Sequence, residues 1–336
     1  MSVAAGAPEV SVVLSTYNRA HVLPRALDSL AQQSFPPECY EVLIVDNNSN
    51  DGTRQIGESF CARFSHFRYV FEPKQGLSHA RNTGIRVARA SLIAFTDDDV
   101  RASSDWVSTI AALFREHPEV ACVGGKVLPS WPGLPPRWLT REHWAPLALL
   151  DYGDAPVRIG DDQRLCLIGA NCAFRREVFD RIGLYSPHVQ AVGREVATED
   201  HELLLRLWRA GGLCLYSPAL VITAEIDAAR MRRRYHRRWH RRHGRFLALM
   251  RDELLERTRM GRFFGVPAHM YRRIPIDVAH WLVSLLPGGR TDPFAIEARL
   301  WFNLGFVGGR WREYFSPARA ALLRELTALT APKQHG

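Results

Sequence analysis

Ser91-Leu92-Ile93-Ala94-Phe95-Thr96-Asp97-Asp98-Asp99-Val100 sets a short apolar run directly against three consecutive carboxylates. The run has the length and residue types of a buried strand, and the aspartates fall where that strand would end. Ligands of open α/β sheets collect at the carboxyl ends of the strands. Three adjacent acids repel one another, and Mg²⁺ or Mn²⁺ is typically held by one or two such carboxylates together with phosphate oxygens and water. The same residues also suit an Asp-rich turn or a helix N-cap, because Ser103, Ser104 and Asp105 open a helical pattern just beyond.

Outward from this stretch, strand and helix patterns alternate at short intervals. Residues 10–16 read as a first strand ending in Tyr17-Asn18-Arg19, followed by a helical stripe of Val22, Leu23, Ala26, Leu27 and Leu30. A second strand at 41–45 runs into the polar turn Asp46-Asn47-Asn48-Ser49-Asn50-Asp51-Gly52-Thr53. A third strand at 67–71 and a helix at 76–88 precede the strand that carries the aspartates. This alternation predicts an α/β fold, with a mostly parallel sheet and helices on both faces. In such a sheet Tyr17, Asn18, Asp46, Asn48 and the triplet Asp97, Asp98, Asp99 share one crevice.

Beyond the triplet the spacing predicts a helix over 105–116 and a strand over 120–124. Residues 125–163, rich in Pro and Trp, suit either a covering loop with an aromatic face or a hydrophobic cover packed on the core. Glu199 and Asp200 precede an amphipathic helix at 203–210, where acids also serve as simple dipole partners. A strand at 213–216 closes at Pro218.

The chain has 336 residues, of which 46% are hydrophobic and 24% charged, the balance of an ordinary globular protein with one large domain and an appendage. Residues 1–9 lack a basic, then apolar, leader pattern, and no apolar run approaches the ~18 residues of a membrane span. The chain therefore reads as cytoplasmic. Its six cysteines form no CxxC pair and have no His at zinc-ligand spacing, which predicts reduced thiols without structural zinc.

The net charge of +9 is local: nine arginines and no acid lie between Arg230 and Arg245. Met231, Tyr235 and Trp239 recur there at helical spacing. Such a helix suits an anionic membrane surface, nucleic acid, or packing of its aromatic stripe on the domain beside it. Residues 262–315 read as helices of a small C-terminal module with much apolar surface. This suits a peripheral-membrane or lipid-acceptor role, or plain intramolecular packing.

Taken in order over roughly residues 10–225, the motifs resemble those of an inverting family-2 glycosyltransferase with the GT-A (Rossmann-like) fold. The resemblance implies that Thr16, Tyr17, Asn18 and Arg19 form the nucleotide-contacting turn. Asp46 and Asn48 belong to the second signature, whose first Asp contacts the base, and Arg81 in Gly76-Leu77-Ser78-His79-Ala80-Arg81-Asn82-Thr83-Gly84 also serves the nucleotide. Asp97-Asp98-Asp99 stands at the DxD motif, with Asp97 and Asp99 on Mg²⁺ or Mn²⁺ and Asp97 and Asp98 toward the nucleotide. Gly169-Ala170-Asn171 lies on the acceptor side. In Thr198-Glu199-Asp200 the resemblance makes Asp200 the catalytic base and Glu199 its orienting partner.

There are departures. Thr223-Ala224-Glu225 occupies the place of a histidine that assists the metal or diphosphate in many members, leaving Glu225 as a substitute at best. The Gln-x-x-Arg-Trp signature of processive synthases is absent, which points to transfer of single sugars. The resemblance thus implies a catalytic domain at 8–228 that moves a sugar from a nucleotide-sugar, UDP-linked by preference. The acceptor is a hydroxyl in glycan, polysaccharide or glycolipid synthesis. A basic helix and helical module follow at 229–330, with location in the cytoplasm or peripherally at the inner membrane face. The competing readings are a nucleotidyltransferase, for which the Gly-rich phosphate loop is missing, and a polyanion or nucleic-acid binder acting through 230–245. A family-2 member commonly packs its basic helix beside the active site, so nucleic acid is the less favoured partner.

Overall fold

The computed structural model describes residues 6–187, 199–251, 253–256, 261–286 and 292–316. Its centre is a sheet of nine strands in the order β3-β2-β1-β4-β8-β6-β9-β5, with β7 joined to β9. The parallel part comprises β1 (Val10–Thr16), β2 (Tyr40–Asp46), β3 (Phe67–Phe71) and β4 (Leu92–Asp97). Helices α1 (Leu23–Ala31), α2 (Thr53–Arg63) and α3 (Leu77–Val87) make the crossovers between these strands. Every residue of β1 and β2 is buried, which is why both read as near-continuous apolar runs. The buried polar exceptions are Ser15, Thr16 and Asp46 at the carboxyl ends and Ser11 and Glu41 near the starts. Ser11 Oγ donates to Glu41 at 2.7 Å, and Arg68 and Arg89 complete the carboxylate's partners, fixing the two strands at the rim opposite the aspartates.

The register decides the site. Thr16 pairs with Asp46, and Ser15 with Asp97, so the last residues of three strands stand side by side on one rim.

The second half of the sheet is mixed, adding antiparallel pairings to the expected parallel ones. β8 (Cys172–Arg175) runs antiparallel to β4 and to β6 (Val120–Ser130). β9 (Leu213–Glu225) runs parallel to β6, while β5 (Val100–Ala102) and β7 (Val157–Ile159) are antiparallel to β9. Both β6 and β9 extend well past the ends expected from Gly124 and Pro218. The sheet absorbs the proline with a register shift, Gly125 facing Ser217 and Lys126 facing Val221. Gly125 is required there, since a Cβ would sit 1.9 Å from Leu220 O.

The remaining helices of the sheet domain are α4 (Trp106–Glu116), α5 (Glu177–Ile182) and α6 (Glu199–Arg209). Within the Pro- and Trp-rich segment, Trp131, Trp138 and Trp144 are half-buried against the core, so the segment packs as a hydrophobic cover. Trp138 meets His236 and Phe294 edge to face, at 5.0 and 4.7 Å between ring centroids.

The basic stretch forms α7 (Arg233–Met250), preceded by a 3-10 turn at Ala228–Met231 that Asp227 caps through Ala229 N. It is followed by α8 (Ala268–Ser284) and α9 (Pro293–Tyr314). α7 and α9 cross with their backbones in contact. A Cβ on Gly244 would lie 2.0 Å from Phe302 O, and one on Gly305 1.9 Å from Arg241 O. Among the described residues, no helix is long and apolar enough to cross a membrane.

Candidate active site

A crevice of about 340 Å³ opens at the carboxyl ends of β1, β2 and β4. Thr16, Tyr17, Arg19, Asn47, Asp97, Asp98 and Asp99 line it, together with residues at the start of α3. Its floor is held by the loops that sequence reading placed there. Asn18 and Asn48 have φ of 53° and 64°, a left-handed conformation that asparagine tolerates better than most residues. Asn18 N donates to Ser49 Oγ at 2.9 Å, and its side-chain oxygen accepts from Asn50 N at 2.9 Å, stitching the first loop to the second. Asp46 accepts from Ser49 N at 3.0 Å and from Tyr69 OH at 2.7 Å. Both of its oxygens therefore have a protein partner.

Asn48 is exposed and does not line the crevice; its neighbour Asn47 does. The buried Asn47 amide donates to Lys74 O at 2.7 Å, and its oxygen accepts from Gly76 N at 2.7 Å, setting the turn that launches α3. The turn needs glycine, with φ of 137° at Gly76. Sequence reading passed over Asn47. Its signal was its place immediately after β2, where the chain is still paired through Asn47 N to Thr16 O at 2.8 Å.

The acid triplet lies under unbalanced charge. Burial, then Asp99 and Asp97, push the Asp98 carboxyl up to about 7. Burial and Asp97 also raise Asp99, against the pull of Arg19 and Arg230. The nearest cation on Asp98 is the half-exposed Arg19, at 3.9 Å. Among the described residues no three His, Cys, Asp or Glu side chains form a preformed cation cage. One or two carboxylates completed by substrate phosphates, the usual arrangement for Mg²⁺, need no such cage. An all-oxygen donor set carrying uncompensated charge fits a hard divalent cation. Glu225 does not extend this set, because its carboxylate is held by Arg25 at 2.9 and 3.1 Å. Its backbone N instead donates to Asp99 O at 2.8 Å and fixes the loop.

A second group joins the triplet from the side. Arg81, 3% exposed, donates to Glu199 at 2.8 Å and reaches Asp97 at 3.4 Å, with its guanidinium facing the rings of Tyr185 and Phe95. This is the guanidinium expected at the nucleotide. The guanidinium is spent on carboxylates within the fold, and it acts as a strut between the triplet and the start of α6. Burial and the neighbouring Asp200 raise the Glu199 carboxyl, and Arg81 opposes them. Asp200, half-buried, accepts from Gly169 N at 3.0 Å and from His201 N at 2.8 Å. Gly169 permits this approach, since a Cβ there would come 2.9 Å from Arg81 and 3.2 Å from Asp200 Cβ. Thr198 lies outside the described residues.

Asn171, expected on the acceptor side, is fully buried. Its oxygen accepts from Trp106 Nε1 at 2.7 Å and its amide donates to Lys126 O and Leu220 O, at 2.9 and 3.1 Å. It ties α4, β6 and β9 together, with both amide protons used inside the fold.

The arginine stretch packs beside the site. Met231 and Tyr235 rest on the core, Arg233 faces Trp138 and Phe294, and Arg237 pairs with Glu297. Arg230 donates to Pro146 O at 3.4 Å and is close enough to lower Asp99.

Known proteins resemble this chain in sequence and in fold. The sequence pattern of glycosyl transferase family 2 matches residues 11–183. Glycosyltransferase AglE of Haloferax volcanii is 36% identical over 130 residues, 37% of this chain and 41% of that protein. The glucosyl-dolichyl phosphate glucuronosyltransferase of the same organism is 24% identical over 208 residues, 61% of this chain and 64% of that protein. The chain thus spans less than two thirds of the length of either relative. Among solved structures, the mannosyltransferase PcManGT of Pyrobaculum calidifontis with GDP-Man and Mn²⁺ superposes with a TM-score of 0.53 at 20% identity, covering 96% of this chain and 84% of that one. S. aureus TarS 1-349 in complex with UDP gives 0.52 at 16% identity, covering 93% and 92%. The fold is the GT-A type expected.

Proposed function

The chain belongs to glycosyl transferase family 2, and from that premise we propose that it transfers one sugar from a nucleotide-sugar to an acceptor hydroxyl with inversion. The observation that carries this reading is the register that sets Thr16, Asp46 and Asp97 on one rim, with Arg81 linking Asp97 to Glu199. On this reading residues 8–228 are the catalytic domain. The 3-10 turn that leads into α7 brings Arg230 toward the acid triplet.

Thr16, Tyr17 and Arg19 bound the crevice where the nucleotide lies, and Asn47 holds the turn opposite them. Asp46 meets the base edge by exchanging its partner Ser49 or Tyr69 for a base N–H. Asp97 and Asp99 would hold a Mg²⁺ or Mn²⁺ ion, which when bound supplies Lewis-acid stabilisation to the departing diphosphate. Asp200 is the general base. It takes the proton of the acceptor hydroxyl as that oxygen attacks the anomeric carbon opposite the leaving group. Gly169 N, donating to one Asp200 oxygen, holds the carboxylate in place, and the Arg81–Glu199 pair fixes the helix end that presents it. UDP is the favoured carrier, in keeping with the UDP seen with TarS, although PcManGT was solved with GDP-Man.

Calorimetric titration of UDP, GDP and dTDP, each with Mn²⁺ and then with EDTA, tests the proposal. One nucleotide should bind only with the cation, and Asp99→Ala should abolish that binding. Asp200→Asn should keep the binding and lose turnover. Binding of no nucleotide under any condition would sink the reading.

A further inference from the structure

In α8 the usual polarity of a packed helix is reversed. The buried seam of α8 is Met270, Asp277 and Ser284, so two of its three buried residues are polar. Asp277 accepts from Arg299 at 3.0 Å and from Asn303 at 3.1 Å, and Ser284 Oγ donates to Trp281 O at 2.7 Å. α9 buries Phe294, Ile296, Phe306 and Val307 together with Asn303 and Arg310, and leaves Leu304 and Trp311 exposed. Opposite the α8 seam, Val278 and Leu282 stand at four-residue spacing with Val283 beside them, and Leu285 and Leu286 follow just past the helix end. Leu282, Val283, Leu285 and Leu286 are 54%, 62%, 56% and 62% exposed. A helix that satisfies its polar groups inward and turns its aliphatic side chains outward is built for apolar surroundings.

The charges around this face choose the occupant. Asp277, the sole acid in α8, is buried and paired, whereas Arg272 and Arg273 are exposed. Val283 also borders a groove of about 1000 Å³ lined by the exposed Arg137, Arg141, Glu142 and His280, with Asp292 held by His143. Arg272, Arg273, Arg137 and Arg141 outnumber the exposed Glu142 around this face, so contact with a second copy would bring together two patches of like net charge, because an isologous interface repeats the same patch. An aliphatic face flanked by arginines matches the boundary between headgroups and acyl chains of an anionic bilayer.

We propose that α8 is a membrane-docking helix that lies in the interfacial plane of a bilayer containing anionic lipid. Val278, Leu282, Val283, Leu285 and Leu286 enter the acyl region, while Arg272 and Arg273 meet lipid phosphates. This inference does not depend on the proposed reaction, since its readout requires no turnover.

The test is co-sedimentation of the full chain with vesicles of phosphatidylcholine and phosphatidylglycerol in equal parts, beside vesicles of phosphatidylcholine alone. The full chain should pellet with the mixed vesicles and only weakly with the neutral ones. Leu282→Glu with Leu286→Glu should lower partitioning by on the order of tenfold or more. Arg272→Gln with Arg273→Gln should lower it less and flatten its salt dependence. These positions lie off the buried seam, so unchanged thermal unfolding of each variant is expected and verifies its fold. The proposal is overturned if the full chain stays in the supernatant or the leucine variants pellet as well as the parent. It is also overturned if the parent is a dimer that Leu282→Glu splits.

Discussion

Arg81 and Glu199, 118 positions apart in sequence, share a hydrogen bond of 2.8 Å in a place where neither side chain is more than 4% exposed. The pair joins the helix that follows the crevice to the helix that carries the proposed base. Replacing Arg81 with methionine leaves the Glu199 carboxylate buried and unanswered. The expected cost is about 3–5 kcal/mol of folding stability, read by denaturant unfolding. Pairing Arg81→Met with Glu199→Gln should recover part of that loss. If Arg81→Met is neutral, the strut described here is not one.

Asn171 is expected to matter for folding and not for acceptor affinity. Asn171→Ala strands the Trp106 indole N–H in the core and should cost about 2–3 kcal/mol. In the surviving folded protein the acceptor KM should stay that of the parent. A raised KM at unchanged stability would return Asn171 to the acceptor side.

Glu225→Gln separates two readings of that residue. Its carboxylate is tied to a largely exposed arginine, and such pairs contribute about 0–1 kcal/mol. Cation-dependent nucleotide binding should therefore be unchanged in calorimetry. A large fall in cation affinity would show Glu225 acting in place of the missing histidine.

The α7–α9 crossing has no room for a methyl group. Gly305→Ala should destabilise the protein by about 1–3 kcal/mol or more, seen as a lower thermal midpoint. Nucleotide affinity at low temperature should be preserved, since the crevice lies elsewhere in the fold.

Acid should loosen the same helices. Burial, then the neighbouring His143 and Arg230, hold the His236 imidazole down at about 4, although its contact with Arg230 O pulls the other way. His240 is likewise held at about 4 by burial, then His236 and His143. Because these values lie below the ordinary ~6.5, the unfolded chain binds more protons in this window. The stabilisation is fully present above about pH 6.5 and is lost as pH falls toward 4. For His236 alone it amounts to at most about 3 kcal/mol. His236→Leu should flatten the fall in unfolding free energy between pH 6.5 and 4; an unchanged slope would exclude this residue as its source.

The parallel half of the sheet was legible in the sequence because burial on both faces writes strands as unbroken apolar runs, as in Val10-Ser11-Val12-Val13-Leu14. The acid triplet was legible for the same reason, since it interrupts such a run. What the sequence concealed was side-chain direction at the strand ends. Nothing in Asp46-Asn47-Asn48 says which asparagine faces inward; the turn geometry around Gly76 decides that. The pairing of Arg81 with Glu199 was not legible, because the two lie too far apart along the chain to be paired by inspection. The ends of β6 and β9 were missed because Gly125 and Pro218 are ordinary strand breakers whose bulge exists only once the two strands meet.

The loop that follows the aspartates is clamped by β9, through Val100 facing Ala224 and Asp99 O accepting from Glu225 N. That partner strand comes more than a hundred residues later in the chain. During synthesis, β1 to β4 can align while the acid loop still lacks its clamp, and closing so long a loop is slow. The crevice should therefore be the last part of the domain to mature, gaining nucleotide affinity only when residues near 225 have left the ribosome.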